Sequence, residues 1–147
     1  MLWCEAIRVA VTEEKLDVRA GLDLLDEARR QQWVDWLDDA TAYDGGAVPG
    51  ARFTPNGFTV TALQAATAAI LGTPVPTDDP AGHLQDALHN AVRIGNDTDT
   101  VAAIAGGLLG ARWGASAVPE SWRQALHGWP GLTGDDLVAL ADRTLRR

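Results

Sequence analysis

Apolar residues recur along this chain at the three-to-four spacing of helices, and no stretch keeps the period-two alternation of a half-buried strand. Leu2, Trp3, Ile7, Ala10 and Val11 fall on one side of a helix over residues 1–12, which is already under way at Met1. Glu13-Glu14-Lys15 breaks it, and residues 18–25 read as a short helix or turn. A longer helix over residues 26–43 puts Trp33, Trp36 and Leu37 inward and Asp35, Asp38 and Asp39 outward. Glycines and prolines mark residues 44–55 as a loop, closed by Asn56-Gly57. An alanine-rich helix, Thr59–Leu71, follows, with Phe58 at its entrance as a hydrophobic staple or core aromatic. A second breaker-rich loop over residues 72–80 leads to a helix over residues 83–94. Beyond a central helix come a short one over residues 119–127, opened by Pro119, and Gly134–Leu145, capped by Thr133. Asp135 and Asp136 in the first turn of that last helix, and Arg143, Arg146 and Arg147 in its last, suit the helix dipole. Trp33, Trp36, Trp122, Leu126 and Trp129 are expected to fill or cover the core. The pattern predicts one all-α domain over residues 1–147.

The central stretch, residues 95–114, reads G-N-D-T-D-T-V-A-A-I-A-G-G-L-L-G-A-R-W-G. Its second half is a helix poor in side-chain bulk, with Gly106, Gly110 and Gly114 at four-residue steps along one side. A helical glycine costs about 1 kcal/mol relative to alanine. The pattern therefore predicts another helix, from this chain or from a part outside it, packed closely on the Gly106–Gly110 face.

Its first half gathers hard oxygen donors at the helix mouth: Asp97, Asp99 and Thr100. Two helical residues at i and i+2 diverge by about 200°. Both carboxylates can meet one cation only if the chain is still non-helical around Asp97 and Thr98. Gly95-Asn96 supplies a turn, and Asp97 or Thr98 suits the N-cap. Such oxygens favour Mg²⁺, Mn²⁺ or Ca²⁺ over zinc. On spacing alone, an acidic helix start that only caps and balances the dipole competes with a metal site. Two motifs fail here. An EF-hand loop needs glycine and glutamate at its sixth and twelfth positions, where Ala102 and Leu108 stand. The D-x-D-x-[TV] phosphatase signature should end a hydrophobic strand, whereas residues 83–94 have helical spacing and the only lysine is Lys15.

A third comparison succeeds. Residues 95–114 closely resemble the C-terminal metal motif of the ADP-ribosylglycohydrolase family, G-G/N-D-T-D-T-[IV]-A-A-I-A-G-x-x-x-G-A-x-x-G. The preceding helix, with Leu84-Gln85-Asp86-Ala87-Leu88-His89-Asn90-Ala91-Val92, and the segment from Phe53 to Ile70 are similar to the family as well. The resemblance implies an all-α hydrolase with two Mg²⁺ or Mn²⁺ ions in its complete site. Such enzymes cleave the glycosidic bond between ADP-ribose and an acceptor such as a protein arginine or serine. Carried over by position, Asp97, Asp99 and Thr100 would be metal ligands. Gly95 and Asn96 would let backbone approach the ion or ribose, and Gly57 and Phe58 would border the nucleotide.

Composition narrows the partners. A net charge of −8 argues against nucleic acid, which favours clustered basic surface. One cysteine, Cys4, excludes an internal disulfide and suits a reducing cytoplasm. It reads as a buried filler. No apolar run is long enough to span a bilayer, and no signal sequence opens the chain. His83, His89 and His127 lack mutual ligand spacing and read as surface or packing residues.

Complete family members are roughly twice this length and carry, in their N-terminal half, a Thr-Asp-Asp metal cluster and an acidic catalytic residue. Neither is identifiable here. Thr77-Asp78-Asp79-Pro80 copies the cluster superficially but only leads into a helix. The chain therefore reads as the C-terminal part of a longer glycohydrolase, a fragment or truncated form acting with a missing N-terminal half. No catalytic acid or base is assigned. The alternatives are a non-catalytic module that binds metal or ADP-ribose, and an inactive relic of the family.

Overall fold

Helical periodicity is realised as α1 (Leu2–Glu13), α2 (Glu27–Thr41), α3 (Thr59–Leu71), α4 (His83–Arg93), α5 (Thr98–Trp113), α6 (Glu120–Ala125) and α7 (Gly134–Leu145). The computed structural model describes residues 1–42 and 46–145. The predicted helix end at Tyr43, the loop start at Asp44-Gly45, and Arg146 and Arg147 fall outside them.

α5 is the hub, with α1, α3 and α4 packed around it. Its Val101, Ala105, Leu108 and Leu109 are fully buried, against Ile70 of α3 and Leu84 of α4 among others. Burying each such leucine or isoleucine contributes about 1.5–3 kcal/mol. The alanines of α3 and α4, including Ala65, Ala66, Ala69, Ala87 and Ala91, are buried and let the helix axes approach. Trp3 of α1 locks onto α5 by donating its indole N–H to the Ile104 carbonyl (3.0 Å). His83 has the packing role expected of it. Buried between α3 and α5, it accepts from the Trp113 indole at Nδ1 (3.2 Å). Its Nε2–H therefore donates to the Ile70 carbonyl (3.0 Å).

Several expected core positions lie elsewhere. α1 turns Leu2, Ala6, Val9 and Ala10 inward, which carries Val11 and Cys4 to the surface. α2 is an edge helix that packs chiefly on α3, so Trp33 and Trp36 are half-buried beside the core. Their rings meet edge-to-face at 5.0 Å. Of the C-terminal aromatics only Trp122 reaches the body, edge-on to His89 at 5.4 Å. Leu126 and Trp129 are exposed. The reason is that α6 and α7 pack mainly on each other and on a short antiparallel pair, β1 (His127–Gly128) and β2 (Leu132–Thr133). Two residues per strand are too few to register as alternation. Thr133 caps α7 reciprocally with Asp136, as expected: the Asp136 amide donates to Thr133 Oγ1 and the Thr133 amide to Asp136 Oδ2.

The glycine face of α5 also departs from expectation within this chain. A Cβ placed on Gly106 would make ordinary contact with Leu88 Cδ2 at 3.7 Å, and one on Gly110 would meet nothing within 4 Å. No helix of the described residues crowds Gly110. Alanine there should raise stability by about 1 kcal/mol through helix propensity, visible as a higher Tm. A lower Tm for Gly110→Ala would mean that something does occupy this face.

Candidate functional site

The site begins where α4 hands over to α5. Gly95 (φ +84°) and Asn96 (φ +60°) adopt left-handed backbone, which glycine and asparagine tolerate best. Asp97, at φ −82° and ψ 63°, is the centre of an inverse γ-turn, closed by the Thr98 amide donating to the Asn96 carbonyl at 2.9 Å. α5 proper starts with the Val101 amide donating to the Asp97 carbonyl. The backbone is thus non-helical at Asp97, the condition for the two carboxylates to converge.

They do converge. Asp97 occupies the N-cap position, yet its side chain caps no amide of α5. Hydrogen bonding with the Asp97 carboxyl, followed by amide donation from Thr100 and from Asp99 itself, holds the Asp99 carboxyl below the usual carboxylate range. Asp97 is half-buried, whereas Asp99 and Thr100 are exposed at the mouth of the helix.

The loop before α3 forms the opposing wall. A Cβ on Gly57 would sit 3.6 Å from Asp97 Oδ2, so bare backbone faces this carboxylate. Phe58, the next residue, is 67% exposed, which excludes the core and staple roles and leaves its ring on the surface beside the site. Thr61 Oγ1 donates to the carbonyls of Pro55 and Phe58 and fixes this entrance. The sequence reading missed Asn56, which joins the two walls. Its buried carboxamide bonds both Gly95 and Asp97, 39 and 41 residues away. Locally it is only the first half of a turn dipeptide, and no periodicity marks it.

Thr77-Asp78-Asp79 lies apart from this centre. It precedes α4 while Asp97 follows it, and eleven helical residues separate the two ends by roughly 16 Å. Among the described residues no three His, Cys, Asp or Glu side chains cluster, so the carboxylates of the centre are the pair alone. The donor set is hard oxygen, which does not suit a soft metal. The chemistry therefore fits Mg²⁺ or Mn²⁺.

The sequence model of the ADP-ribosylglycohydrolase family matches residues 1–147. ADP-ribosylhydrolase ARH3 of Homo sapiens is 46% identical over 46 residues, 31% of this chain and 13% of that protein. ARH3 of Danio rerio is 36% identical over 47 residues, 32% of this chain and 13% of its own length. The matched segment is thus a small part of these curated relatives, which are more than twice as long as this chain. No solved structure matches.

Proposed function

Because the chain belongs to the ADP-ribosylglycohydrolase family, we propose that it serves the metal-dependent hydrolysis of the glycosidic bond between ADP-ribose and a modified acceptor. The observation that carries this reading is the non-helical Asp97 before Asp99 at the start of α5, its carboxylate capping no amide and facing bare backbone at Gly57. Asp97, Asp99 and Thr100 would hold Mg²⁺ or Mn²⁺. When bound, such an ion supplies Lewis-acid polarisation and a template for ribose hydroxyls and water. The side-chain-free turn at Gly95 and the left-handed Asn96 leave room for ribose at the helix mouth. The N-terminus of α5 favours the negative diphosphate. Gly57 gives the nucleotide a close backbone wall, and the exposed ring of Phe58 offers an apolar edge.

Three protein donors leave several places of an octahedral ion to water, substrate or other protein groups. Since the curated relatives are more than twice as long, the proposal places the second ion's ligands and the acid–base residue outside these 147 residues. A binding role without turnover is the second reading. It is favoured by the lack, among the described residues, of a third carboxylate, histidine or cysteine joining the pair.

The purified chain, assayed with Mn²⁺ on ADP-ribosylated arginine and serine peptides, tests both readings. Calorimetric binding of Mn²⁺ and ADP-ribose with no useful release of ADP-ribose is the expected result. Metal-dependent turnover by this chain alone would overturn the placement of the catalytic group elsewhere. Loss of all binding would remove both readings.

A further inference from the structure

Asn56 is 0% exposed, although it ends a loop rich in glycine and proline and is flanked by the exposed Pro55 and Gly57. Its Nδ2 donates to the Gly95 carbonyl (3.2 Å) and its Oδ1 accepts from the Asp97 amide (2.9 Å). These two backbone groups bracket Asn96, the left-handed residue of the turn. They lie between α4 and α5, where no helical partner serves them. The N-cap residue of a helix ordinarily spends its side chain on the first amides. Here the Asp97 amide is satisfied from another segment, and the Asp97 side chain caps no amide of α5.

We propose that Asn56 is a positioning residue that clamps the turn from Gly95 to Asp97 and so sets the carboxylate pair in place for a cation. The clamp stands on the hydrogen bonds alone, and only its effect on metal rests on the function proposed above. A merely structural asparagine would, when lost, loosen the whole fold evenly. A clamp, when lost, releases the turn first.

Amide hydrogen exchange and Mn²⁺ titration of Asn56→Ala, both well below its Tm, test this. Exchange at Asp97 and Thr98 is expected to quicken by about tenfold or more while amides of Ala105 to Leu109 keep their protection. Mn²⁺ affinity should fall by about 10–100-fold, the range for partners that orient a metal ligand. His83→Gln, which perturbs a buried polar residue remote from the turn, should leave that affinity unchanged. Unaltered exchange at Asp97, or acceleration spread evenly through α5, would overturn the clamp. If the native chain bound no Mn²⁺, the metal reading would fail and exchange alone would decide. Should Asn56→Ala not fold, Asn56→Ser, too short to reach both groups, is read in the same way.

Discussion

Alanine at Asp97 or at Asp99 is expected to weaken Mn²⁺ binding by at least about 100-fold, beyond the roughly 10–100-fold typical of residues that merely orient a ligand. Each substitution removes one of two charged donors from a site with a single hydroxyl in reserve. Thr100→Val should cost less, since a neutral oxygen contributes less to a hard cation than a carboxylate does. The fold itself should hardly notice. Asp97 caps no helical amide, so metal-free stability of the Asp97→Ala protein should stay within about 0.5 kcal/mol of the native chain. Metal at a hundredfold excess over Kd stabilises a protein by about 2.7 kcal/mol. The native chain should therefore gain Tm on adding Mn²⁺, and the Asp97→Ala and Asp99→Ala proteins should not. Equal affinities in calorimetry across all three would end the assignment of these carboxylates to a metal.

The residues that were legible in the sequence are those whose signals are local. Thr59–Leu71 and Gly134–Leu145 occur with the predicted ends, because periodicity and capping lie within a few neighbours. The turn at Gly95-Asn96 and the non-helical Asp97 were likewise legible, from the turn residues and the geometry two converging carboxylates require. What was not legible depends on which elements meet. Trp129 has the composition of a core residue but is 90% exposed, because α6 and α7 pack on each other rather than on α5. Val11 and Cys4 are exposed because α1 is rotated toward α5 by Leu2, Ala6 and Val9, a choice the helical pattern leaves open. Gly106 and Gly110 share one face in sequence, yet of the two only Gly106 has a neighbour among the described residues. Asn56 is the extreme case, since its partners lie some forty positions away and are backbone groups without a sequence signature.

Gly50 should behave in the opposite way to Gly110, and it connects the loop to the site. Its φ of +86° suits glycine, and a Cβ there would meet the Ala65 carbonyl at 3.0 Å and Ala68 Cβ and Ile94 Cδ1 at 3.1 Å. Two of these neighbours belong to α3 and the third is the residue before Gly95, so Gly50 is the point where the loop rests on both walls. Alanine at this position adds backbone strain of about 1–3 kcal/mol to crowding of about 1–3 kcal/mol. The combined loss should lower Tm by on the order of 10 °C. Relief requires the loop to lift from α3 and Ile94, and the same loop carries Asn56 and Gly57. Gly50→Ala should therefore also speed exchange at the Asp97 amide and weaken Mn²⁺ binding in the folded protein, whereas Gly110→Ala raises Tm and leaves both alone. A Gly50→Ala protein melting within about 2 °C of the native chain would refute the close approach. A large drop in Tm with unchanged exchange at Asp97 and unchanged Mn²⁺ affinity would refute the coupling of this loop to the carboxylate pair.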